Sequence, residues 1–398
     1  MPTLLQINST ANWGSTGKIA EQIGERAMQH GWQSYIAYGR GCNPSKSQLL
    51  KIGSKVGQAW HLIISRLFDR HGLGSRLATK RLIKRIEQIK PDIIHLHNIH
   101  GYYINYKILF EYLNSIDTPV VWTLHDCWTF TGHCAHFVEA NCDRWKEECF
   151  NCPLRKSYPK SLFDRANKNH TLKRSIFADK KQLTIVPASN WLANFAKQSL
   201  FKEKSIRVIH NGVNINTFTP LPSTNHHNYN IIGVSSIWNK SKGLEDFYKL
   251  RNMLDEDSFK ITLVGLTKAQ INTLPQGITG IERTNSADEL AELYCGATVF
   301  VNPTYADTFP TTNLEALACG IPVITYRTGG SPEAVCEATG FVVEQGDIDA
   351  LKDAINEICT RGKAHYSAAC RKYAEEHFDK EKCFEKYIEL YNELLTNK

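Results

Sequence analysis

No uninterrupted apolar run in this sequence approaches the ~18 residues that a membrane-crossing helix needs, which excludes an integral helical membrane protein. The start, Met1-Pro2-Thr3-Leu4-Leu5-Gln6-Ile7-Asn8, lacks a basic stretch and turns polar within a few positions, so it is not a secretory leader, and a cytoplasmic protein is expected. Short repeats and low-complexity segments are absent. Acidic residues are scarce in one half only: residues 1–205 hold 29 Lys and Arg against 15 Asp and Glu, whereas the remainder holds 18 against 25. A basic first half implies an anionic partner, whether nucleic acid, a phosphorylated ligand or an anionic membrane leaflet.

What is present is an ordinary globular composition, 42% hydrophobic and 22% charged, over 398 residues. That length exceeds what one hydrophobic core sustains, so two domains are expected. Short β-branched runs alternate with longer amphipathic ones, the signature of βαβ units on parallel sheets. Strands are expected at Leu4–Asn8, Ile93–His97, Val120–Leu124, Thr184–Val186 and Ile206–Ile209. Helices are expected at about Lys18–His30 and Ser75–Lys90. A polar, proline-bearing stretch near Thr219-Pro220-Leu221-Pro222 reads as a linker, and a second βα series opens at Ile231–Ser235. The expected division is residues 1–213, a linker at 214–229, a second domain at 230–378, and a terminal helical segment, 379–398, that docks back on the first domain. That helix spaces Phe384, Tyr387, Ile388, Tyr391 and Leu395 by one to four residues along one face.

Doubly wound domains place ligands beyond the carboxyl ends of their strands. Gly14-Ser15-Thr16-Gly17-Lys18 follows the first strand and suits backbone approach to a phosphate, although Asn12 and Ile19 stand where a nucleotide-triphosphate loop needs glycine and a hydroxyl. His125-Asp126 follows the strand ending at Leu124, and His95, His97 and Asn98 close the strand before it. Further on, Asp307 and Glu315 are separated by seven residues, across a loop and the first turn of a helix. Asp347-Ile348-Asp349 opens a helix after Gly346, and capping explains it better than metal binding.

These features, with Val208-Ile209-His210-Asn211-Gly212-Val213-Asn214, the Lys242-Gly243 pair and Thr123-x-His125-Asp126, resemble the retaining family 4 glycosyltransferases over nearly the whole chain. The resemblance implies the GT-B fold, two Rossmann-like α/β domains with doubly wound parallel sheets facing a shared cleft. It implies that Glu315 binds the ribose of a nucleotide-diphosphate sugar, with UDP preferred over GDP. Asp307 would accept from the transferred sugar, Lys242 would neutralise the departing diphosphate, and His125 would hydrogen-bond the donor sugar. Gly14, Thr16, Gly17, Lys240, Phe309, Thr311 and Thr312 complete the implied donor site. An arginine usual before the Lys-Gly pair is missing, and Lys240 is the candidate replacement. Asp307 stands where glutamate is frequent, and Pro310 where glycine is frequent. No catalytic metal is implied.

Cys134, Cys142, Cys149 and Cys152 fall within nineteen residues and end in a C-x2-C pair; in a reducing compartment this spacing points to a structural zinc, with His133 and His136 as substitute ligands. The cluster resembles a subset of the family found in capsule and exopolysaccharide (colanic-acid-type) biosynthesis. The resulting expectation is a hexosyltransferase acting on a lipid-linked or growing surface saccharide. It would work against an anionic membrane surface, peripheral on its inner face, and would bind no nucleic acid. Two other readings are a nucleotide-sugar epimerase of the same fold and a zinc-bearing nucleic-acid binder using Arg76–Lys90.

Overall fold

The computed structural model describes residues 1–221 and 228–396, and the chain divides into two units. The first comprises Met1–His210 and the end of the chain from Phe384; the second is Asn211–Cys383.

In chain order the first unit contains β1 (Thr3–Asn8), α1 (Gly14–Gln29), β2 (Gln33–Tyr38), β3 (Gln48–Lys51), α2 (Lys55–Phe68), α3 (Arg76–Ile89) and β4 (Ile93–Leu96). There follow α4 (Tyr106–Leu113), β5 (Val120–Leu124), α5 (Ala166–Ala178), β6 (Leu183–Pro187), α6 (Asn190–Ala196) and β7 (Ser205–Ile206). All seven strands are parallel, in the order β3-β2-β1-β4-β5-β6-β7. β1, β4, β5 and β6 are buried along their whole length, which is why they read as continuous rather than alternating apolar runs. Their core is strongly aromatic: Phe110, Trp122 and Phe177 meet with ring centroids 4.4 to 5.3 Å apart. Gly24 lets α1 close on the sheet, because a Cβ there would stand 2.6 Å from Ser47 Oγ and 2.7 Å from Ser34 Oγ.

The second unit contains β8 (Tyr229–Val234), α7 (Leu244–Met253), β9 (Phe259–Val264), α8 (Lys268–Ile271), β10 (Ile278–Ile281), α9 (Ala287–Cys295) and β11 (Val299–Asn302). It continues with α10 (Thr311–Ala318), β12 (Val323–Tyr326), β13 (Gly340–Val343), α11 (Ile348–Arg361), α12 (Lys363–His377) and the start of α13 (Lys380–Thr396). Its six strands, again all parallel, run β10-β9-β8-β11-β12-β13. Both units thus carry the doubly wound order, with switch points between β1 and β4 and between β8 and β11. Asp347 caps α11 by accepting from Ala350 N–H at 2.9 Å, as capping chemistry requires.

The structure corrects the expected boundaries in three places. Val213 belongs to the second unit, because its N–H donates to Phe378 O and its carbonyl accepts from Lys380 N–H. The first part of the expected linker is packed: Arg371 Nη1 donates to Ile215 O, Phe218 O and Ala318 O, and Phe218 is buried. Residues 222–227 of that linker, and 397–398 of the terminal segment, lie outside the described residues. Finally, Gly14–Lys18 opens α1, which runs Gly14–Gln29, rather than forming a loop before it.

The end of α13 returns to the first unit. Tyr391 and Tyr387 are buried; Tyr391 OH lies 2.6 Å from His95 Nδ1 and Tyr387 OH lies 2.8 Å from Thr123 Oγ1. Glu385 pairs with Arg26 and His30.

Candidate active site

The loops leaving β8 and β11 flank the switch point of the second unit; the first carries Lys240 and Lys242, the second Asp307. After β8 the chain makes a 3-10 turn over Lys240–Lys242, capped by Asn239, whose side chain accepts from Lys242 N–H. Gly243 ends that turn at φ +73°, and a Cβ there would lie 2.2 Å from Pro303 O, so only glycine lets the two loops touch. This close approach brings Lys242 Nζ to 2.7 Å from Asp307 Oδ2, with Ala306 O at 3.1 Å and Thr304 Oγ1 at 3.4 Å. Asp307 Oδ1 accepts from Phe309 N–H. Lys240 is exposed on the same turn as Lys242.

α10 begins immediately after this loop with Pro310 at its N-cap, no side-chain cap and no acid in its first turn. The N–H groups of Thr311 and Thr312 therefore end a helix dipole that favours an anion. One turn on, Glu315 accepts from Tyr294 OH at 3.1 Å, which holds the carboxylate in place. Burial and the neighbouring Glu315 carboxylate keep the Tyr294 phenol well above its usual range, so it remains a donor. Tyr294 carries no motif and was not anticipated. On α9 it reads as one more apolar-face residue, and only its contact with α10 reveals the role. The Phe309 side chain is buried, 5.8 Å between ring centroids from Phe378, so this loop presents its backbone rather than that ring.

In the first unit, Gln6 Nε2 donates to Ala20 O, which turns Oε1 toward His97 Nε2 at 3.0 Å. His97 Nε2–H is then the donor, so its Nδ1 accepts from His125 Nε2 at 3.1 Å. His125 is thereby held in one tautomer, and burial pushes its pKa down to about 4, leaving a neutral imidazole at pH 7. Asp126 is held near 2: burial raises it, but the His100 imidazole at 2.9 Å more than compensates. His95, 0% exposed between Tyr391 and Thr123, is structural. Gly17 packs on Thr10, and Asn8 Nδ2 reaches Thr16 Oγ1 at 3.4 Å, so Gly14, Thr16 and Gly17 stand at the β1 end of the switch point.

The four clustered cysteines line one pocket with His133. His133 Nδ1 donates to Asp69 at 2.6 Å and its Nε2 has no partner. Among the described residues, however, no group of three or more His, Cys, Asp or Glu is arranged to hold a metal ion. The Cys134 thiol hydrogen-bonds Cys152, lowering the latter to about 7, and Cys149 accepts from Gly132 N–H at 3.2 Å. Cys134, Cys142, Cys149 and Cys152 thus gather around one pocket, with Cys134 and Cys152 in direct contact.

Two doubly wound units in tandem, one of them with a lysine and two carboxylates around an uncapped helix start, define a glycosyltransferase of the GT-B architecture. Residues 17–217 match the family described as Glycosyltransferase Family 4, and residues 228–361 match Glycosyl transferases group 1. The chain belongs to the family 4 glycosyltransferases. It is 27% identical to the putative colanic acid biosynthesis glycosyl transferase WcaC of Escherichia coli K12, over 87% of this chain and 88% of that protein. A Campylobacter jejuni N,N'-diacetylbacillosaminyl-diphospho-undecaprenol alpha-1,3-N-acetylgalactosaminyltransferase is 26% identical over 54% of this chain and 61% of its own. Anabaena Alr3699/HepE, solved with UDP-glucose, shares the fold with a TM-score of 0.65 at 14% identity, over 98% of this chain and 99% of that one. No helix among the described residues is long and apolar enough to cross a membrane.

Proposed function

We propose that this chain is a retaining hexosyltransferase that moves a sugar from a UDP-sugar to a saccharide carried on a lipid diphosphate, in surface-polysaccharide synthesis at the inner membrane face. The observation that carries this reading is the Lys242–Asp307 pair at 2.7 Å beside the start of α10. A donor diphosphate seated at the α10 N-terminus draws Lys242 Nζ from Asp307. The ammonium then neutralises charge that grows as the glycosidic bond breaks, while Asp307, released, accepts from sugar hydroxyls. Glu315, oriented by Tyr294, accepts from the ribose. His125, a neutral imidazole, meets the donor sugar with a hydrogen bond rather than a charge. UDP over GDP follows the HepE complex, and the lipid diphosphate follows the acceptor in the Campylobacter relative's name.

The test is a screen of UDP- and GDP-sugars with a lipid-linked saccharide acceptor, the product anomer being read by NMR. Retention with a UDP-sugar supports the reading; an inverted product or exclusive GDP-sugar use overturns the corresponding part. Donor conversion to its epimer without acceptor would establish the epimerase instead.

A further inference from the structure

Helix α2 is packed inside out. The residues it buries are His61 and Ser65, whereas Val56, Trp60, Ile63, Leu67 and Phe68 stand 80%, 64%, 46%, 40% and 48% exposed. A surface helix ordinarily turns its apolar stripe to the core, and a contiguous exposed apolar face marks a binding surface. The strip continues beyond α2, because Phe68 stacks on Phe163 at 6.2 Å and both Leu162 and Phe163 are exposed.

Between α2 and α3 lies a groove of about 980 Å³, the size of a site for a substantial ligand. Trp60, Ile64 and Leu77 make it apolar, while Arg70, Arg76, Arg81 and Arg85 line it with cations. Among the described residues lining it, none is acidic. From Lys51 to Lys90 the only acids are Glu87 and Asp69, and Asp69 is buried against His133. The groove walls are tied together by His61: its Nε2 accepts from Gly72 and Gly74 N–H, each at 3.1 Å, and its Nδ1 lies 2.9 Å from Ser75 Oγ. The cavity is therefore built before any ligand arrives.

Such a lining suits an amphiphile that carries both an apolar stretch and negative charge. A neutral lipid would leave four arginines unanswered, and a free phosphate would leave the apolar wall in water. Resting on the lipid-diphosphate acceptor proposed above, we propose that this groove binds the polyprenyl diphosphate portion of the acceptor. Arg81 and Arg85, one turn apart on α3, take the diphosphate oxygens, and the Trp60 wall takes the isoprenoid chain.

Calorimetric titration of the full chain with geranylgeranyl diphosphate tests this, against geranylgeraniol and inorganic diphosphate. One saturable site is expected, not displaced by equimolar inorganic diphosphate and about tenfold weaker after Trp60→Asp or after Arg81→Glu with Arg85→Glu. Arg81→Gln with Arg85→Gln, which removes charge without reversing it, guards against misfolding and should show the same direction of loss. Binding of the probe by all these variants within twofold of the parent, no binding by the parent, or adsorption only to vesicles containing anionic lipid would overturn the proposal. The acceptor assignment is read separately, from whether the parent prefers a lipid-diphosphate-linked saccharide to its water-soluble counterpart. If it does, and the groove variants keep the parent's KM for that acceptor, the groove is wrong and the acceptor right.

Discussion

Replacing Lys242 with alanine separates what this side chain does for the fold from what it does for transfer. Its side chain is 29% exposed and its partner Asp307 23%, so water partly screens the pair, and its loss should cost folding at most about 1 kcal/mol. Transfer depends on the same ammonium far more. Removing one positioned charge from a developing anion typically costs about 10²–10³ in turnover, or about 2.7–4 kcal/mol. The loss should fall on kcat more than on KM, because charge on the diphosphate grows only as the bond breaks. Lys242→Arg should recover part of it, since the charge survives but a planar fork cannot reproduce contacts to Asp307, Ala306 O and Thr304 from one atom. Steady-state kinetics with the preferred UDP-sugar, alongside thermal unfolding, provide the assay. A folded Lys242→Ala enzyme whose kcat lies within threefold of the parent would refute the role assigned to this residue.

Tyr294→Phe leaves Glu315 without its phenol donor and should raise the donor KM about three- to tenfold with little change in kcat, a split that general destabilisation would not produce. His125→Ala should lower kcat more than donor affinity, and equal losses in both would point to uniform binding. His61 and His125 are both pushed down to about 4 by burial, so between pH 6.5 and 4 the unfolded chain takes up protons that the folded chain refuses. Stability should be level with respect to these groups above pH 6.5 and fall by about 1.4 kcal/mol per histidine per unit as pH drops through that window, as denaturant titrations at several pH values can measure. Tyr391→Ala empties a fully buried site where α13 meets β4 and should cost about 3–5 kcal/mol, whereas Tyr391→Phe, losing only the bond to His95, should cost about 1 kcal/mol; equal unfolding midpoints for the two would contradict that packing.

Much of this protein is legible in local pattern. β5 occupies Val120–Leu124 and α9 Ala287–Cys295 because β-branched runs and helical periodicity are properties of a few neighbouring residues. The Lys242-Gly243 turn, the seven-residue interval from Asp307 to Glu315 and the tyrosine face of α13 are legible for the same reason. β2, β3, β10 and β13 are absent from the expected strands; the last three are four-residue strands, partly exposed, that carry almost no periodic signal. Other features are decided by contacts between distant segments. Lys242 meets Asp307 across 65 residues, Tyr294 meets Glu315 across 21, and Gln6 sets the tautomer of His97 across 91. Cysteine spacing shows four thiols close in sequence, but only the fold decides which meet: Cys134 contacts Cys152, and Cys149 accepts from a backbone N–H. α2 shows the division most clearly. Its sequence is amphipathic, but periodicity states only that one face is apolar. Which face meets the core was settled by His61, because a buried imidazole accepting two N–H bonds from the following loop can lie only against that loop, and so the apolar side is left facing out.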